Sequence, residues 1–346
     1  MTTLSDYQAY STDWRAQLRK NNRHTRWVIA IFFLLYLVVG IILDLAFYST
    51  VLHSPLEVLI KQLFTLQLIP FATIGTVIIA AISLAVTYIF HDKLMLLGTE
   101  YHEITSESAR SLEEKQLYNV VEEMKVAAGL RFMPRVYIIE ANYMNAFASG
   151  YSEKSAMVAI TRGLISKLDR AELQAVMAHE LSHIRHQDIK LTLMASVLTN
   201  IMLVVIDLLF YNLVFGRRDR EGGNNILVLV VVLLRYILPV ITLLLMLYLS
   251  RAREYMADAG CVELMRDNSP LARALLKIHE DHQTNVSEYS QEYGQTAHED
   301  IRRAAYIYDP VKTGIEPVKS LTSMFSTHPA LEARLAAIGF KPAPKR

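Results

Sequence analysis

Four long apolar stretches interrupt this chain and restrict its fold more than any other feature of the sequence. They occupy residues 27–43 (continuing past Asp44 to about 52), 62–90, 191–215 and 226–249. Each reaches the roughly 20 residues that cross a bilayer core, whereas a helix buried in a soluble protein seldom runs so far without a polar face. A polar segment, residues 1–26, precedes the first stretch and no small-residue cleavage site follows it, so we interpret that stretch as an uncleaved anchor. The chain is therefore predicted to be an integral membrane protein with about four membrane helices.

The distribution of positive charge predicts the orientation of these helices. Five basic residues precede the first stretch, whereas only Lys61 lies between the first and the second. The positive-inside rule then places the N-terminus and residues 91–190 in the cytoplasm. The turn at 216–225 carries three arginines on the opposite side, which violates the rule. The hairpin formed by the third and fourth stretches is therefore either fully spanning or shallow.

Two charged residues lie within that hairpin. Asp207 lies nine residues before Gly216, and Arg235 lies ten residues after Asn225. In an antiparallel hairpin these positions have nearly equal depth, and a lone charge in a bilayer is costly. We expect the two residues to pair or to face a common polar cavity; the alternative is a shallow hairpin in which each charge reaches water.

The composition excludes several classes of function. The 35 Lys and Arg residues barely exceed the 34 Asp and Glu residues, so no basic surplus is present to neutralise nucleic-acid phosphates. The single cysteine, Cys261, excludes an intrachain disulfide and a cysteine-based zinc cluster. We therefore predict no nucleic-acid partner.

The polar segments are expected to form a mixed α/β domain and its continuation. The spacing predicts a helix over 100–128 that ends at Gly129, followed by a strand at 136–139 and extended segments at 145–150 and 156–161. Asp169 is expected to cap the next helix, which has no breaker before the third apolar stretch and is predicted to continue into it. Further elements are expected beyond the fourth stretch: a helix over 250–280 broken near 268–270, a loosely folded polar insertion at 282–322, and a last helix at 330–338.

The strongest chemical motif is His179-Glu180-Leu181-Ser182-His183. On a helix, residues four apart share one face, so two imidazoles can converge on one ion. Catalytic zinc takes three protein ligands and keeps one position for water, and Glu180 lies beside that face as a candidate proton acceptor. The alternative is a helix with two incidental histidines.

A third ligand must come from elsewhere in the chain. Two downstream pairs offer a glutamate with an aspartate four residues later, namely Glu254 with Asp258 and Glu263 with Asp267. Glutamates nine residues apart face opposite sides of one helix, so only one pair can line the site. Small residues at 257, 259 and 260 permit close helix packing and favour Glu254, but spacing alone leaves both pairs open.

Four motifs, taken together and in their order along the chain, resemble the HtpX-like membrane zinc metalloproteases, relatives of the type I CAAX prenyl proteases. They are the motif at 179–183, Asn145-Ala146-Phe147-Ala148-Ser149-Gly150, the stretch 250–260 (SRAREYMADAG) and Ser326-Thr327-His328-Pro329. The resemblance covers about 111–264 and 323–340. It implies an α+β, mostly helical membrane protein with a cytoplasmic zincin (gluzincin-like) catalytic domain, in a bacterial cytoplasmic (inner) membrane.

The resemblance also implies roles for individual residues. It implies one Zn²⁺ per chain held by His179, His183 and Glu254, with Glu180 as general base and Asp258 orienting a ligand histidine. Asn145 and Ala146 would pair with the substrate backbone, or else form a plain structural strand. His328 and Arg334 would stabilise the oxyanion, or else belong to a C-terminal packing motif.

The resulting prediction is a zinc-dependent endopeptidase that acts in quality control of misfolded or damaged membrane proteins, as part of a stress response. The expected organisation is a cytoplasmic segment at 1–26, two transmembrane helices at 27–90, catalytic-domain parts at 91–188 and 250–346, and a hydrophobic hairpin at 189–249. The rival interpretations are a protease of prenylated C-terminal peptides and a membrane scaffold whose zinc merely ties helices together. The family resemblance offers no role for the insertion at 282–322.

Overall fold

The computed structural model describes residues 4–9, 13–96, 99–150, 152–186, 188–215, 225–295, 305–310 and 328–342. The chain divides into two compact units. The first unit comprises Met1–Thr25, Phe90–Leu191 and Leu247–Arg346, and the second comprises Arg26–Ile89 and Thr192–Met246. The described residues are mostly helical, and their strands all belong to the first unit, which confirms the predicted α+β class.

The secondary structure follows the chain in this order. The helices are α1 (Trp14–Leu52), α2 (Leu56–Phe64), α3 (Phe71–Leu96), α4 (Leu112–Ala128), α5 (Arg162–Lys167), α6 (Arg170–Arg185), α7 (Asp188–Phe215), α8 (Asn225–Met265), α9 (Ser269–Thr284), α10 (Val286–Gln295) and α11 (Leu331–Ile338). The strands are β1 (Tyr7–Ala9), β2 (Tyr101–Ile104), β3 (Arg135–Ile139), β4 (Ala146–Ser149), β5 (Met157–Thr161) and β6 (Phe340–Pro342). Short 3₁₀ turns lie at Leu4–Asp6 and Glu153–Ser155.

The main sheet of the first unit has the strand order β2-β3-β5-β4. β3 and β5 are parallel, and the two outer strands are antiparallel to their neighbours. Strands β1 and β6 form a separate antiparallel pair.

Alternating side chains give this sheet two buried faces, because successive residues of a strand point to opposite sides. On one face, Val136, Ile138 and Ile160 join the main hydrophobic core with residues of α4, α6 and α9. On the other face, Tyr137 and Phe147 join a second cluster that includes tyrosines from α10 and from residue 306. The sheet is therefore enclosed between a layer of helices and a layer of tyrosines.

Local sequence determines where the two central helices begin and end. Ser111 and Glu114 form a reciprocal capping box at the start of α4, and Gly129 ends that helix with a φ of 71°. Asp169 and Glu172 form the same box at the start of α6, as the sequence predicts. The boundaries of α4 at Gly129 and of α6 at Asp169 are thus confirmed.

Three expectations about the polar segments are wrong. Residues Tyr101–Ile104 form strand β2 rather than the start of a helix, because they pair with β3. The helix that carries the histidine motif does not continue into the third apolar stretch: α6 ends at Arg185, and α7 begins at Asp188. The first part of the polar insertion is not loosely folded, since α10 buries Tyr289 and Tyr293. Residues 296–304 and 311–322 of the insertion lie outside the described residues.

The second unit consists of helical segments. The second apolar stretch is divided, because α2 ends at Phe64 and α3 begins at Phe71. Asp44 is buried and accepts hydrogen bonds from the backbone amides of Ala72 (2.7 Å) and Thr73 (3.2 Å) at the start of α3. Its carboxylate thereby satisfies amides that have no partner within the helix.

Among the residues that the structure describes, one helical segment, Val228–Met265, is long and apolar enough to cross a membrane by length and composition. Shorter apolar helical segments occur at Leu37–Ser49 and Met202–Tyr211. The four spans expected from sequence remain a prediction. The arginine-bearing turn lies mostly in residues 216–224, outside the described part of the chain.

The predicted contact between the two charges of the hairpin is present. Arg235 Nε lies 2.9 Å from Asp207 Oδ1, which joins α7 to α8 within the second unit. The Arg235 guanidinium also lies 4.0 Å from the centre of the Phe210 ring, a cation–π contact that the sequence did not indicate.

Candidate metal centre

Helix α6 places His179 and His183 one turn apart with their Nε2 atoms 3.3 Å from each other. Glu254, on α8, completes a group of three. Its Oε2 lies 3.7 Å from His179 Nε2, and its Oε1 lies 3.6 Å from His183 Nε2. All three side chains are buried. The structure therefore brings together the three residues predicted to bind the metal.

The spacing of these atoms fits a tetrahedral ion. Bonds of about 2.0–2.2 Å at tetrahedral angles separate neighbouring ligand atoms by about 3.4 Å, close to the three distances in this cluster. Two imidazole nitrogens and one carboxylate also match the donor set of catalytic zinc sites, which leave one position for water. The residues present thus suit zinc.

Close packing of α6 against α8 explains why Glu254 lies at the site and Glu263 does not. A Cβ atom on Gly260 would lie 2.5 Å from Ser182 Oγ, so a larger residue would require the Ser182 side chain to move. Glu263 instead contacts Arg185, with an Nη1–Oε2 distance of 3.2 Å. The geometry places Glu254, and not Glu263, with the histidines.

Each histidine has a carboxylate next to its second ring nitrogen. His179 Nδ1 lies 3.1 Å from Asp258 Oδ1, as the Glu254/Asp258 pairing predicts. His183 Nδ1 lies 3.0 Å from Asp188 Oδ2, a partner that sequence reasoning missed. Such carboxylates fix the tautomer and orientation of metal-binding histidines. Arg253 lies behind Asp188, with Nε 3.7 Å from Asp188 Oδ1.

Arg334 is buried and donates hydrogen bonds to two partners in the protein. It donates from Nε (3.0 Å) and Nη2 (2.7 Å) to the two oxygens of Asp258, and from Nη1 (2.6 Å) to the carbonyl of Ile307. Its Nη1 also lies 3.6 Å from Glu254 Oε2. This geometry fits a residue that positions Asp258 and Glu254 better than one that contacts a substrate oxyanion.

His328 lies directly beside the cluster. Its Nδ1 is 3.1 Å from Glu254 Oε2, and the side chain is buried. An open cleft of ≈ 680 Å³ borders it, and its walls include Arg251, Tyr255 and His279. His328 is thus next to both a metal ligand and an open cleft whose volume is typical of ligand-binding sites.

Glu180 follows His179 on α6 and is buried. Burial raises the pKa of its carboxyl to about 7, and the charge of His179 and the nearby amide of Ala148 offset this only in part. Its two oxygens make no well-aligned hydrogen bond with any residue that the structure describes. A carboxyl with a pKa near neutrality can both accept and release a proton at physiological pH.

Opposite charges balance within the cluster. Burial opposes ionisation of Glu254, but the charges of His328, His179 and Arg334 hold the pKa of Glu254 well below its usual range. Burial lowers the pKa of His183, and the neighbouring Asp188 offsets this effect only in part. Both shifts favour the deprotonated forms, in which these side chains can bind a metal.

Asn145 and Ala146, predicted to bind substrate, lie at the end of the sheet. Both are buried, and β4 forms its edge. The Asn145 side chain donates to Tyr293 Oη and to the carbonyl of Tyr308, each at 3.0 Å. It is therefore engaged by the chain itself rather than open to a substrate.

Comparison with known proteins gives a consistent assignment. The profile of peptidase family M48 matches residues 111–339. A protease HtpX homolog of Helicobacter pylori (strain Shi470) is 37% identical over 94% of this chain and 98% of its own length. A protease HtpX homolog of Listeria monocytogenes serotype 4b (strain F2365) is 32% identical over 92% of this chain and 97% of its own length.

One solved structure resembles the chain more distantly. The crystal structure of S. mikatae Ste24p aligns with 96% of this chain and 68% of its own chain, at 16% sequence identity and a TM-score of 0.47.

Proposed function

This chain belongs to peptidase family M48 and is a metalloprotease related to HtpX, and from that premise we propose that it is a zinc-dependent endopeptidase of membrane proteins. We propose further that it acts at the cytoplasmic face of a bacterial inner membrane, in the quality control of misfolded or damaged proteins. The observation that carries the proposal is the convergence of His179, His183 and Glu254 beside the buried carboxyl of Glu180.

The chain supplies the residues that peptide hydrolysis needs. Bound zinc would polarise the scissile carbonyl and the attacking water. Glu180 would accept a proton from that water and deliver it to the leaving amine, since its buried carboxyl lies next to the ligand His179 on α6. His328 would donate to the developing oxyanion from beside Glu254. Arg334 and Asp258 would hold Glu254 and His179 in place.

The proposed membrane location rests on sequence. The four apolar stretches have the length of membrane helices, and the positive charge near the N-terminus favours a cytoplasmic start. His183 precedes the third stretch by eight residues, and Glu254 follows the fourth by five. In the sequence, each ligand segment thus lies next to a proposed membrane segment, which supports substrates that are themselves in the membrane.

The test is cleavage of a destabilised membrane protein by the purified enzyme in proteoliposomes. We expect Glu180→Gln to retain zinc, because the amide preserves the shape of the side chain, and to lose activity by about 10²–10⁴-fold. Glu263→Gln is the matched control and should keep both properties, since the Glu263 carboxylate lies beside Arg185 and not among the predicted metal ligands. Cleavage by Glu180→Gln at the wild-type rate would refute the mechanism. Preferential cleavage of a prenylated peptide would refute the proposed substrate class.

A further inference from the structure

A segment from the polar insertion covers the free edge of β4. Residues 305–310, here called the edge segment, run antiparallel to β4, with Phe147 opposite Tyr306. The amide of Ile307 donates to the carbonyl of Ala146 at 2.9 Å. The other edge of β4 pairs with β5, so the edge segment extends the sheet by a short strand.

The edge segment uses the groups that the family resemblance assigns to substrate. Asn145 Nδ2 donates to the carbonyl of Tyr308 at 3.0 Å, and Asn145 Oδ1 accepts from the amide of Tyr308 at 3.3 Å. In these contacts and in the one to the Ala146 carbonyl, the edge segment uses its backbone amides and carbonyls. An extended peptide that adds to a sheet edge uses the same backbone groups. A substrate and the edge segment therefore cannot use them at the same time.

Arg334 links the edge segment to the metal centre. Arg334 Nη1 donates to the carbonyl of Ile307 at 2.6 Å and lies 3.6 Å from Oε2 of the metal ligand Glu254. On β4 itself, the amide of Ala148 lies close enough to Glu180 to influence its carboxyl. The covered edge is thus the edge beside the reactive groups.

We propose that the edge segment is an internal substrate mimic, which must leave β4 before an extended polypeptide can pair with Asn145 and Ala146. This inference rests on the proposed function of the metal centre. Substrate would then bind only the fraction of molecules whose edge is free, and the apparent KM rises in inverse proportion to that fraction. Enzyme with a free edge would bind peptide more tightly with the same chemistry.

The side chains of the edge segment hold it in place. The Tyr306 ring contacts that of Phe147 edge-on, with a centroid distance of 5.7 Å, and its hydroxyl lies 3.2 Å from that of Tyr143. Ile307 and Tyr308 are buried in the main core. The competing interpretation is a permanent fifth strand of this sheet that never leaves β4.

The first experiment locks the edge segment with a reversible crosslink. In an antiparallel pair, Cα atoms of opposed residues lie about 4.5–5.5 Å apart, within the range of a disulfide. The variant combines Phe147→Cys and Tyr306→Cys with Glu180→Gln; Cys261 is buried and stays unchanged. The probe is the labelled hexapeptide Ala-Tyr-Ile-Tyr-Asp-Pro, the sequence of the edge segment. We expect at least about tenfold tighter binding to the reduced than to the oxidised form, because only the reduced edge can open; equal binding would overturn the proposal.

The second experiment weakens the edge segment without a crosslink. Ile307→Pro removes the amide that donates to Ala146. We expect the KM for an extended peptide to fall about tenfold, whereas Tyr308→Phe, which keeps every backbone contact to β4, should leave KM unchanged. An unchanged or increased KM for Ile307→Pro would refute the mimic.

The two proposals fail in different ways. Peptide binding by the Glu180→Gln crosslink variant requires no catalysis. If the crosslink variant binds peptide only in its reduced form but the wild-type protein cleaves nothing, the proposed function is refuted and the substrate mimic is not. Equal cleavage by the oxidised and reduced forms of the Phe147→Cys/Tyr306→Cys variant with Glu180 intact would refute the mimic alone.

Discussion

Asp188 should control how tightly the site holds its metal, although it does not touch the ion. Its Oδ2 lies 3.0 Å from His183 Nδ1, and both groups are buried. Loss of such an orienting carboxylate typically weakens metal binding 10–100-fold, which corresponds to about 1.4–2.7 kcal/mol. We therefore expect Asp188→Ala to raise the Kd for zinc by about 10–100-fold and Asp188→Asn, which can still accept from Nδ1, by about tenfold.

Arg253 adds a second consequence. Its Nε lies 3.7 Å from Asp188 Oδ1, and the side chain is almost fully buried. Asp188→Ala leaves this guanidinium with less compensating charge, and breaking a buried pair costs about 3–5 kcal/mol when one partner remains. Asp188→Asn removes the same charge but keeps an oxygen beside Arg253 and His183, so thermal unfolding of the metal-free variants should show both destabilised, and Asp188→Ala more than Asp188→Asn.

The assay is competition for zinc between the purified variants and a chelator of known affinity, read at equilibrium by metal analysis. Glu263→Gln is the control, because its contact with Arg185 lies at the end of the same helix that carries His183. A Kd for Asp188→Ala within about twofold of the wild-type value, in protein that remains folded, would show that Asp188 does not orient His183.

Three further predictions follow from the same structure. Glu254→Ala should lose zinc and Glu263→Ala should keep it; metal analysis showing the reverse would mean that the wrong glutamate has been assigned. Burial lowers the pKa of His282 to about 4, below the ordinary 6.5, so the unfolded chain gains a proton first and stability falls between about pH 6.5 and 4, by up to about 3 kcal/mol. Thermal unfolding should show this acid sensitivity reduced in His282→Gln, and an identical pH dependence would contradict the assignment. Asp207→Arg and Arg235→Asp should each reduce expression of the membrane-inserted protein, since an unpaired charge costs about 2.5–3.5 kcal/mol, and the double exchange should partly restore it; a double variant no better than the single ones would refute a stabilising pair.

The parts of the site that follow from helix pitch were predictable. His179 and His183 share a face of α6 because they are four residues apart, and the glutamates nine residues apart cannot both face them. The choice of Glu254 needed one more observation, the small residues beside it, and Gly260 against Ser182 shows why that composition matters. Catalytic roles remain predictions, but the placement of these side chains follows from short-range geometry.

Asp188 was missed for a physical reason. In one continuous helix, a residue five positions after His183 points about 140° away from it, because each residue turns the chain by about 100°. The end of α6 at Arg185 removes that constraint and allows Asp188 to approach His183 Nδ1. The incorrect prediction of one continuous helix is therefore also the reason why Asp188 was not predicted beside His183. Strand β2 was missed for a different reason, since it exists through pairing with β3, which local spacing does not reveal.

The tyrosine layer had a local signal that the polar composition obscured. Tyr289 and Tyr293 are four residues apart, so a helix places them on one face, and that face packs on the sheet beside Tyr143. The two residues also bring the insertion to the edge of β4, because Tyr293 Oη accepts a hydrogen bond from Asn145. An insertion without an expected role is therefore built into the sheet at the predicted substrate-binding edge.

The contact between Asp207 and Arg235 was predicted from the expected depth of the two residues in the hairpin. It used only the number of residues from each charge to the turn, and it required no knowledge of the turn itself. Because every helical residue adds the same rise, two residues at equal distances from the turn lie at equal depth. They come into contact only if they also lie on the sides of the two helices that face each other. The distance of 2.9 Å shows that the faces do meet. The face, unlike the depth, depends on how α7 and α8 pack, and the ring of Phe210 against Arg235 is one of the contacts that join them.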